Sequence, residues 1–277
     1  MLVTLIAWFI TILVVEKGKK KICVCLFLLI ISLASRTLFI SGYNLIFNGK
    51  FIGTTYGAVT ILSNVIYVSE ESDEEGLKDK TEKQFFEDIY KIAKENGMLL
   101  QDAPKGFSDE AVFFGHMHDN IKEMAIYPTL ENYVINKENI TEYVDKTVRI
   151  DEIASSLTAG LLKMNWKRWV RHYLVNILVG LIRTVAYVQP ICNILTLAGY
   201  LLLIMLGLYC YKKDKYSRAV RFLLLTALLT LGNVSAVALT IMCLSRYMIY
   251  NMAFVYITGI LLIEETVDIW KREKKGN

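Results

Sequence analysis

Two long runs, residues 191–211 and 222–244, contain no Asp, Glu, Lys or Arg, and they constrain the chain more than anything else in it. The hydrocarbon core of a bilayer is about 30 Å thick, so a helix rising about 1.5 Å per residue crosses it in roughly 20 apolar residues. Two further segments come close. Residues 22–41 hold a single charge, Arg36, and residues 247–263 are uncharged but short. Met1–Val15 is shorter still and fits a short anchor helix; it has no basic leader or small-residue cleavage site of the kind a signal peptide carries. The chain is 54% hydrophobic with a mean hydropathy of +0.39, above the roughly 45–50% of soluble domains. Together these features exclude a disordered chain, a secreted disulfide scaffold and an ordinary soluble enzyme. They predict an all-α polytopic membrane protein with 5–7 membrane helices and one small, mainly helical polar insert.

The uncertainty in the span number comes from two weaker apolar segments. Phe51–Val68 is interrupted by Gly53, Thr54, Thr55, Gly57, Thr60, Ser63 and Asn64, and His172–Gln189 carries Asn176 and Arg183. Each is able to cross, re-enter or lie at the interface. The predicted organisation is 1–68 as N-terminal membrane helices with a re-entrant or third span, 69–165 as the polar insert, and 166–277 as C-terminal membrane helices.

Charge divides along the same lines. Residues 70–165 hold 21 acidic and 11 basic residues, a net of −10; the remainder holds 6 and 20, a net of +14, and the two sum to the overall +4. Short loops rich in Lys and Arg stay in the cytoplasm. That assigns three clusters inward: Lys17–Lys21, Lys212–Lys215 with Arg218, and the tail Lys271–Lys275. The Asn44–Lys50 and Ser245–Tyr247 turns then lie outside, and the C-terminus is cytoplasmic. The predicted location is the plasma membrane. The insert is cytoplasmic if both weak segments cross and extracytoplasmic if neither does. Lys163, Lys167, Arg168 and Arg171 beside the second segment favour the cytoplasm, but with Trp166 and Trp169 they also suit a helix lying on the membrane surface.

Within the insert, Thr81–Glu95 sets Phe85, Phe86, Ile89, Tyr90 and Ala93 on one helical face, and Gly97 follows as a C-terminal cap. Asp151 reads as the N-cap of a second helix with Ile153, Leu157, Leu161 and Met164 along one stripe. Ser69–Asp79 reads as a solvated acidic turn. His116-Met117-His118-Asp119 is the one metal-like cluster; His116 and His118 would share a face if extended, but a site needs three or four ligands and the remaining histidine is His172. It reads as a polar surface turn, and no metal is expected there.

Cys23, Cys25, Cys192, Cys210 and Cys243 all lie in apolar segments, so they build neither a disulfide framework nor a paired zinc site. There is no phosphate-binding loop, dinucleotide fingerprint or nucleophile elbow, and no cofactor is evident. Asn139-Ile140-Thr141 is a formal glycosylation sequon. An acidic polar region is no partner for nucleic acid.

Arginine in or beside a bilayer is costly and faces a cavity, an anion or the interface. Arg36, Arg183 and Arg246 are such residues, and the charge pattern puts Arg36 and Arg246 toward the outer half of the membrane. A guanidinium matches phosphate with paired donors, so lipid-linked phosphate at that level is the ligand these residues fit. Snorkelling to ordinary headgroups or capping free carbonyls is the alternative.

Ser245-Arg246-Tyr247-Met248-Ile249-Tyr250 before an apolar last span is similar to the Arg-Tyr-x-x-x-Pro-like turn of bacterial GT-C glycosyltransferases, with Tyr250-Asn251 standing where a proline is common. These are multi-pass, polyprenol-phosphate-sugar-dependent enzymes related to protein mannosyltransferases and arabinose transferases. Leu162–Arg171 resembles their basic-aromatic helix leading back from a long outer loop. The stretch Gly42–Tyr67, with Asn44, Gly49 and Thr54-Thr55-Tyr56-Gly57, resembles the approach to that loop. The resemblance covers most of the chain, as the C-terminal half of such an enzyme. It implies an extracytoplasmic insert that covers the site and helps seat the acceptor. Arg246, with Tyr247 and Arg36, would hold the lipid phosphate, with Arg183 as a secondary candidate. A divalent cation enters only by analogy with that family. The acidic pair that serves as base in the family's first outer loop has no counterpart after the first span. The resemblance therefore implies a C-terminal part of a glycosyltransferase, or a subunit whose partner chain supplies the missing helices. The competing expectation is a non-enzymatic membrane protein whose acidic insert binds an envelope partner.

Overall fold

The computed structural model describes residues 2–15, 18–53 and 57–276; Lys17 of the first basic cluster and Thr54-Thr55-Tyr56 lie outside the described residues. Among the described residues the chain is helical, with no strand. The α-helices are α1 (Leu2–Val15), α2 (Lys19–Asn48), α3 (Gly57–Tyr67), α4 (Lys80–Glu95), α5 (Phe107–Asn120), α6 (Tyr127–Asn136), α7 (Tyr143–Arg183), α8 (Pro190–Lys213), α9 (Arg218–Thr240) and α10 (Ser245–Gly276). A π-helical turn, Ile121–Ile126, joins α5 to α6.

Three helices, α2, α8 and α9, are long and apolar enough to cross a membrane. α8 matches its uncharged run: Pro190 opens it at its first turn, where the missing N–H costs nothing, and Lys212-Lys213 close it. α9 ends at Thr240, four residues before its run does, and α2 extends beyond 22–41 at both ends. α10 has 32 residues but keeps its apolar part to 247–263, ending at Glu264.

Two compact units form. The first comprises residues 1–37, 179–236 and 243–277. Its core joins α8, α9 and α10 through Cys210, Ala219, Leu262 and Ile269. Small residues set the helix spacing: a Cβ on Gly207 would stand 2.2 Å from Leu223 Cδ2, and one on Gly232 would stand 2.6 Å from Val3 Cγ1. The hydroxyls of Thr226 and Thr258 meet at 2.7 Å between α9 and α10. Large apolar side chains such as Phe27, Ile191 and Leu195 point outward, 62–74% exposed, as suits helices long and apolar enough to cross a membrane.

The second unit comprises residues 38–178 with 237–242. Leu62, Ile66, Phe86, Ile89, Ile121, Leu130, Leu157 and Leu161 are fully buried, each contributing roughly 1.5–3 kcal/mol. The predicted face of α4 is the one that packs: Phe85, Phe86, Ile89, Tyr90 and Ala93 are buried. Asp79 caps its start by accepting from the Thr81 and Glu82 N–H groups, chiefly Thr81, which holds the carboxyl below its usual range. Gly97 sits past its end at φ +61°, a conformation open to glycine.

Three expectations need correction. Asp151 starts no helix, because α7 begins at Tyr143 and runs through it. Its carboxylate instead accepts from the Ala58 N–H at 2.8 Å and the Val59 N–H at 3.3 Å, capping α3 from 92 residues away and more. Of the stripe that follows, Ile153, Leu157 and Leu161 are buried, but Met164 is 45% exposed. Ser69–Asp79 is no merely solvated turn either. Asp73 within it is 3% exposed and receives Arg168 Nη2 on both carboxylate oxygens at 2.6 Å. Arg168 also donates Nε to the Val68 carbonyl at 3.0 Å and pairs with Glu70 at 3.2 Å. The close approach of Gly76 and Gly160 allows this seam: a Cβ on Gly76 would lie 2.5 Å from the Gly160 carbonyl oxygen.

Finally, His116-Met117-His118-Asp119 is helical, part of α5, and splits its histidines. His116 is exposed; His118 is buried, its Nε2 3.3 Å from the Thr60 carbonyl and its Nδ1 3.2 Å from Asp119. Burial pushes the His118 pKa down.

Candidate functional site

The first unit brings three of the four candidate residues to one turn. Gly180 lets the end of α7 close on α9: a Cβ there would lie 2.6 Å from Val234 Cγ1 and 3.0 Å from Cys243 Sγ. That contact carries Arg183, one turn further on, to the α9–α10 connection, where its Nη1 donates to the Cys243 carbonyl at 2.8 Å. Three residues later Arg246 opens the first turn of α10. Its guanidinium is exposed, lies 4.9 Å from the centre of the Tyr247 ring and donates to the Tyr247 hydroxyl at 3.0 Å. Asn233 Nδ2 donates to the Tyr247 carbonyl at 3.2 Å, and the Tyr247 N–H closes the turn on the Leu244 carbonyl at 3.0 Å.

Two phenols complete this end. Tyr200 donates to the Leu181 carbonyl at 2.9 Å and Tyr256 to the Val185 carbonyl at 3.0 Å. Helix ends leave carbonyls without intrahelical partners, and these hydroxyls satisfy them. Sequence reasoning missed both tyrosines, since nothing local says which carbonyl a phenol will reach.

No carboxylate pairs with Arg183 or Arg246 among the described residues. The first acidic residue along α10 is Glu264, eighteen residues or about 27 Å further on. Glu265 pairs instead with Arg272 at 3.4 Å, and Glu273 pairs with Lys213. The α9–α10 turn is thus a cationic end whose paired donors can take up an anion such as a phosphate. Arg36 is not gathered there; it stands exposed on α2 without a hydrogen bond or ion pair among the described residues.

The second unit holds a buried polar seam that the weak segments concealed. Asn165, His172 and Asn176 fall on one face of α7, spaced seven and four residues apart, and all are buried. Asn176 Nδ2 donates to the Ala238 and Ile241 carbonyls at 3.2 and 2.9 Å, and Asn64 Nδ2 donates to the Leu239 carbonyl at 3.2 Å. His172 packs on Phe114 at 4.2 Å and Tyr67 at 4.9 Å, with neither ring nitrogen hydrogen-bonded. Among the described residues no group of three or more His, Cys, Asp or Glu is arranged to hold a metal ion. Comparison with protein-family models, curated proteins and solved structures finds no match to this chain.

Proposed function

We propose that the chain is a multi-pass protein of the plasma membrane that binds the phosphate of a polyprenol-phosphate sugar at the α9–α10 turn. It would act as the C-terminal part, or a subunit, of a GT-C type glycosyltransferase serving cell-envelope glycan or glycoprotein modification. The observation that carries this reading is the exposed Arg246 guanidinium at one turn with Arg183, without a carboxylate partner among the described residues. Stabilising the charge of a departing lipid phosphate is the chemistry such donors supply. Arg36, which the structure does not gather at that turn, stays in the proposal only by its sequence position toward the outer half of α2.

The membrane arrangement rests on helix lengths. α3 has 11 residues and spans about 16 Å, well short of a 30 Å hydrocarbon core. Only 12 residues of α7 follow Arg171 before it ends at Arg183. If neither crosses, α1, α2, α8, α9 and α10 make five crossings. All three basic clusters and the C-terminus are then cytoplasmic, and the acidic insert is outside.

The test is binding of a fluorescent polyprenyl phosphate to the purified full chain. Arg246→Ala is expected to weaken it at least tenfold, since a hydrogen bond to a charged group contributes about 1.5–3 kcal/mol. Arg246→Lys should fall between, because it keeps the charge and loses the planar fork. Unchanged binding in Arg246→Ala would sink the assignment. It would favour the second reading, a non-enzymatic protein whose insert binds an envelope partner. That alternative has its own support in a charged groove of about 680 Å³ on α4, bordered by Glu71, Glu74, Glu87 and Glu95 together with Lys91 and Lys94, of which Lys94 pairs with Glu71 at 3.3 Å.

A further inference from the structure

The far end of α8 and α9 carries a second feature that the Arg246 turn does not use. Where the two helices meet their connecting turn, a groove of about 530 Å³ opens between them, within the range of ligand pockets. Its walls are apolar: Ile204 and Leu208 from α8, Leu224 and Ala227 from α9. Gly207 fixes its depth by drawing α8 onto Leu223, which leaves the side chains on either flank splayed. Val14 of α1 closes one side.

The mouth of the groove is cationic and aromatic. Lys215 Nζ lies 5.9 Å from the Tyr211 ring and 5.7 Å from the Tyr216 ring, and Arg221 lies 5.9 Å from Tyr216. Neither cation has a carboxylate partner among the described residues. Lys213 is occupied by Glu273, and Asp214, the one acidic residue of this turn, accepts the Tyr216 N–H at 2.9 Å. Arg218, exposed at the start of α9, adds to the same field.

An apolar slot ending in two unpaired cations and two tyrosines has the polarity of a single lipid: acyl chain along the wall, anionic headgroup at the mouth. We propose that this groove binds one anionic phospholipid of the cytoplasmic leaflet, with its phosphate between Lys215 and Arg221 and an acyl chain against Leu208 and Leu224. Basic residues near a membrane surface favour anionic over zwitterionic lipid, and tyrosines sit at headgroup level. The inference rests on the membrane reading of α8 and α9, and is independent of glycosyl transfer and of Arg246.

Native mass spectrometry of the delipidated full chain in detergent tests it, with phosphatidylglycerol and phosphatidylcholine of matched acyl chains added in equal amounts. The first adduct is expected to be phosphatidylglycerol, by roughly fivefold or more. Lys215→Ala/Arg221→Ala should bring the ratio near one while leaving the chain folded by circular dichroism. Ala227→Phe, which fills the groove, should reduce both adducts. Millimolar inorganic phosphate should not displace the lipid. Equal adducts in the unaltered chain overturn the proposal, as do a preference that survives Lys215→Ala/Arg221→Ala and undiminished adducts in Ala227→Phe. Displacement by inorganic phosphate also overturns it, because the mouth would then bind a free anion without the groove. None of these outcomes touches polyprenyl-phosphate binding at Arg246, so the two assignments fail separately.

Discussion

Replacing Arg168 with alanine is expected to destabilise residues 57–178 by about 2–3 kcal/mol, the cost of leaving the buried Asp73 carboxylate without its charged partner, which is itself a third exposed. Asp73 is 3% exposed and takes both of its short charged contacts from Arg168. Without the guanidinium, the carboxylate stays buried with one remaining donor, the Glu70 N–H at 2.9 Å. The unpaired carboxylate then works to open the Glu71–Gly76 turn toward solvent. Thermal unfolding of the detergent-solubilised full chain should move down by several degrees, and amide exchange should rise in peptides covering 69–77 and 157–170. Arg168→Met with Asp73→Leu should recover much of the loss, since two apolar groups leave no orphaned charge. A single alanine variant that melts with the parent would mean the pair is solvated in solution.

The second large effect is expected at Asn176. Its amide supplies donors to two carbonyls, those of Ala238 and Ile241, at the point where α9 ends and its last carbonyls lack helical partners. Asn176→Leu keeps the volume and removes both donors. At about 1–3 kcal/mol for each buried group left unsatisfied, the loss should be about 2–6 kcal/mol. Asn176→Asp, nearly the same shape, should be at least as damaging, because a carboxylate would face carbonyl oxygens. Exchange protection at 237–242 is the direct readout, and Asn64→Leu, which removes the single donor to Leu239, should show a smaller effect on the same segment. If both leucine variants protect that segment as well as the parent, the amides are not what holds it.

How much of this was visible in the sequence depends on how local the cause is. The runs at 191–211 and 222–244 are set by bilayer thickness, and α8 and α9 follow them closely. The stripe of α4 and the glycine beyond it are equally local, and both stand where periodicity placed them. Asp151 is the opposite case. An aspartate before an apolar stripe has the chemistry of an N-cap, and it does cap a helix, but α3, whose first turn it meets only in the folded chain. Asp73 shows the same limit. Six acidic residues within 70–79 read as a solvated turn, and only the guanidinium of Arg168, 95 residues later, makes one of them part of the interior.

The candidate site was partly legible. Arg183 and Arg246 stand out in sequence as charges among apolar residues. That they meet one turn depends on Gly180 closing against Val234 and Cys243, a contact no local pattern announces. Arg36 stands out in the same way and is not drawn to that turn. Asn64 and Asn176 made their segments look like poor membrane spans. They are better explained as donors to the end of α9.

The account turns on which side of the membrane the acidic insert occupies, and thiol accessibility measures that directly. Lys105 is exposed in the loop ahead of α5, so Lys105→Cys offers a probe there; Cys23, Cys25 and Cys192 can be changed to serine, and Cys210 and Cys243 are buried. With a membrane-impermeant maleimide on intact cells, the account predicts labelling of this cysteine as complete as after permeabilisation. Labelling that appears only once the cells are permeabilised would put the insert in the cytoplasm and contradict it.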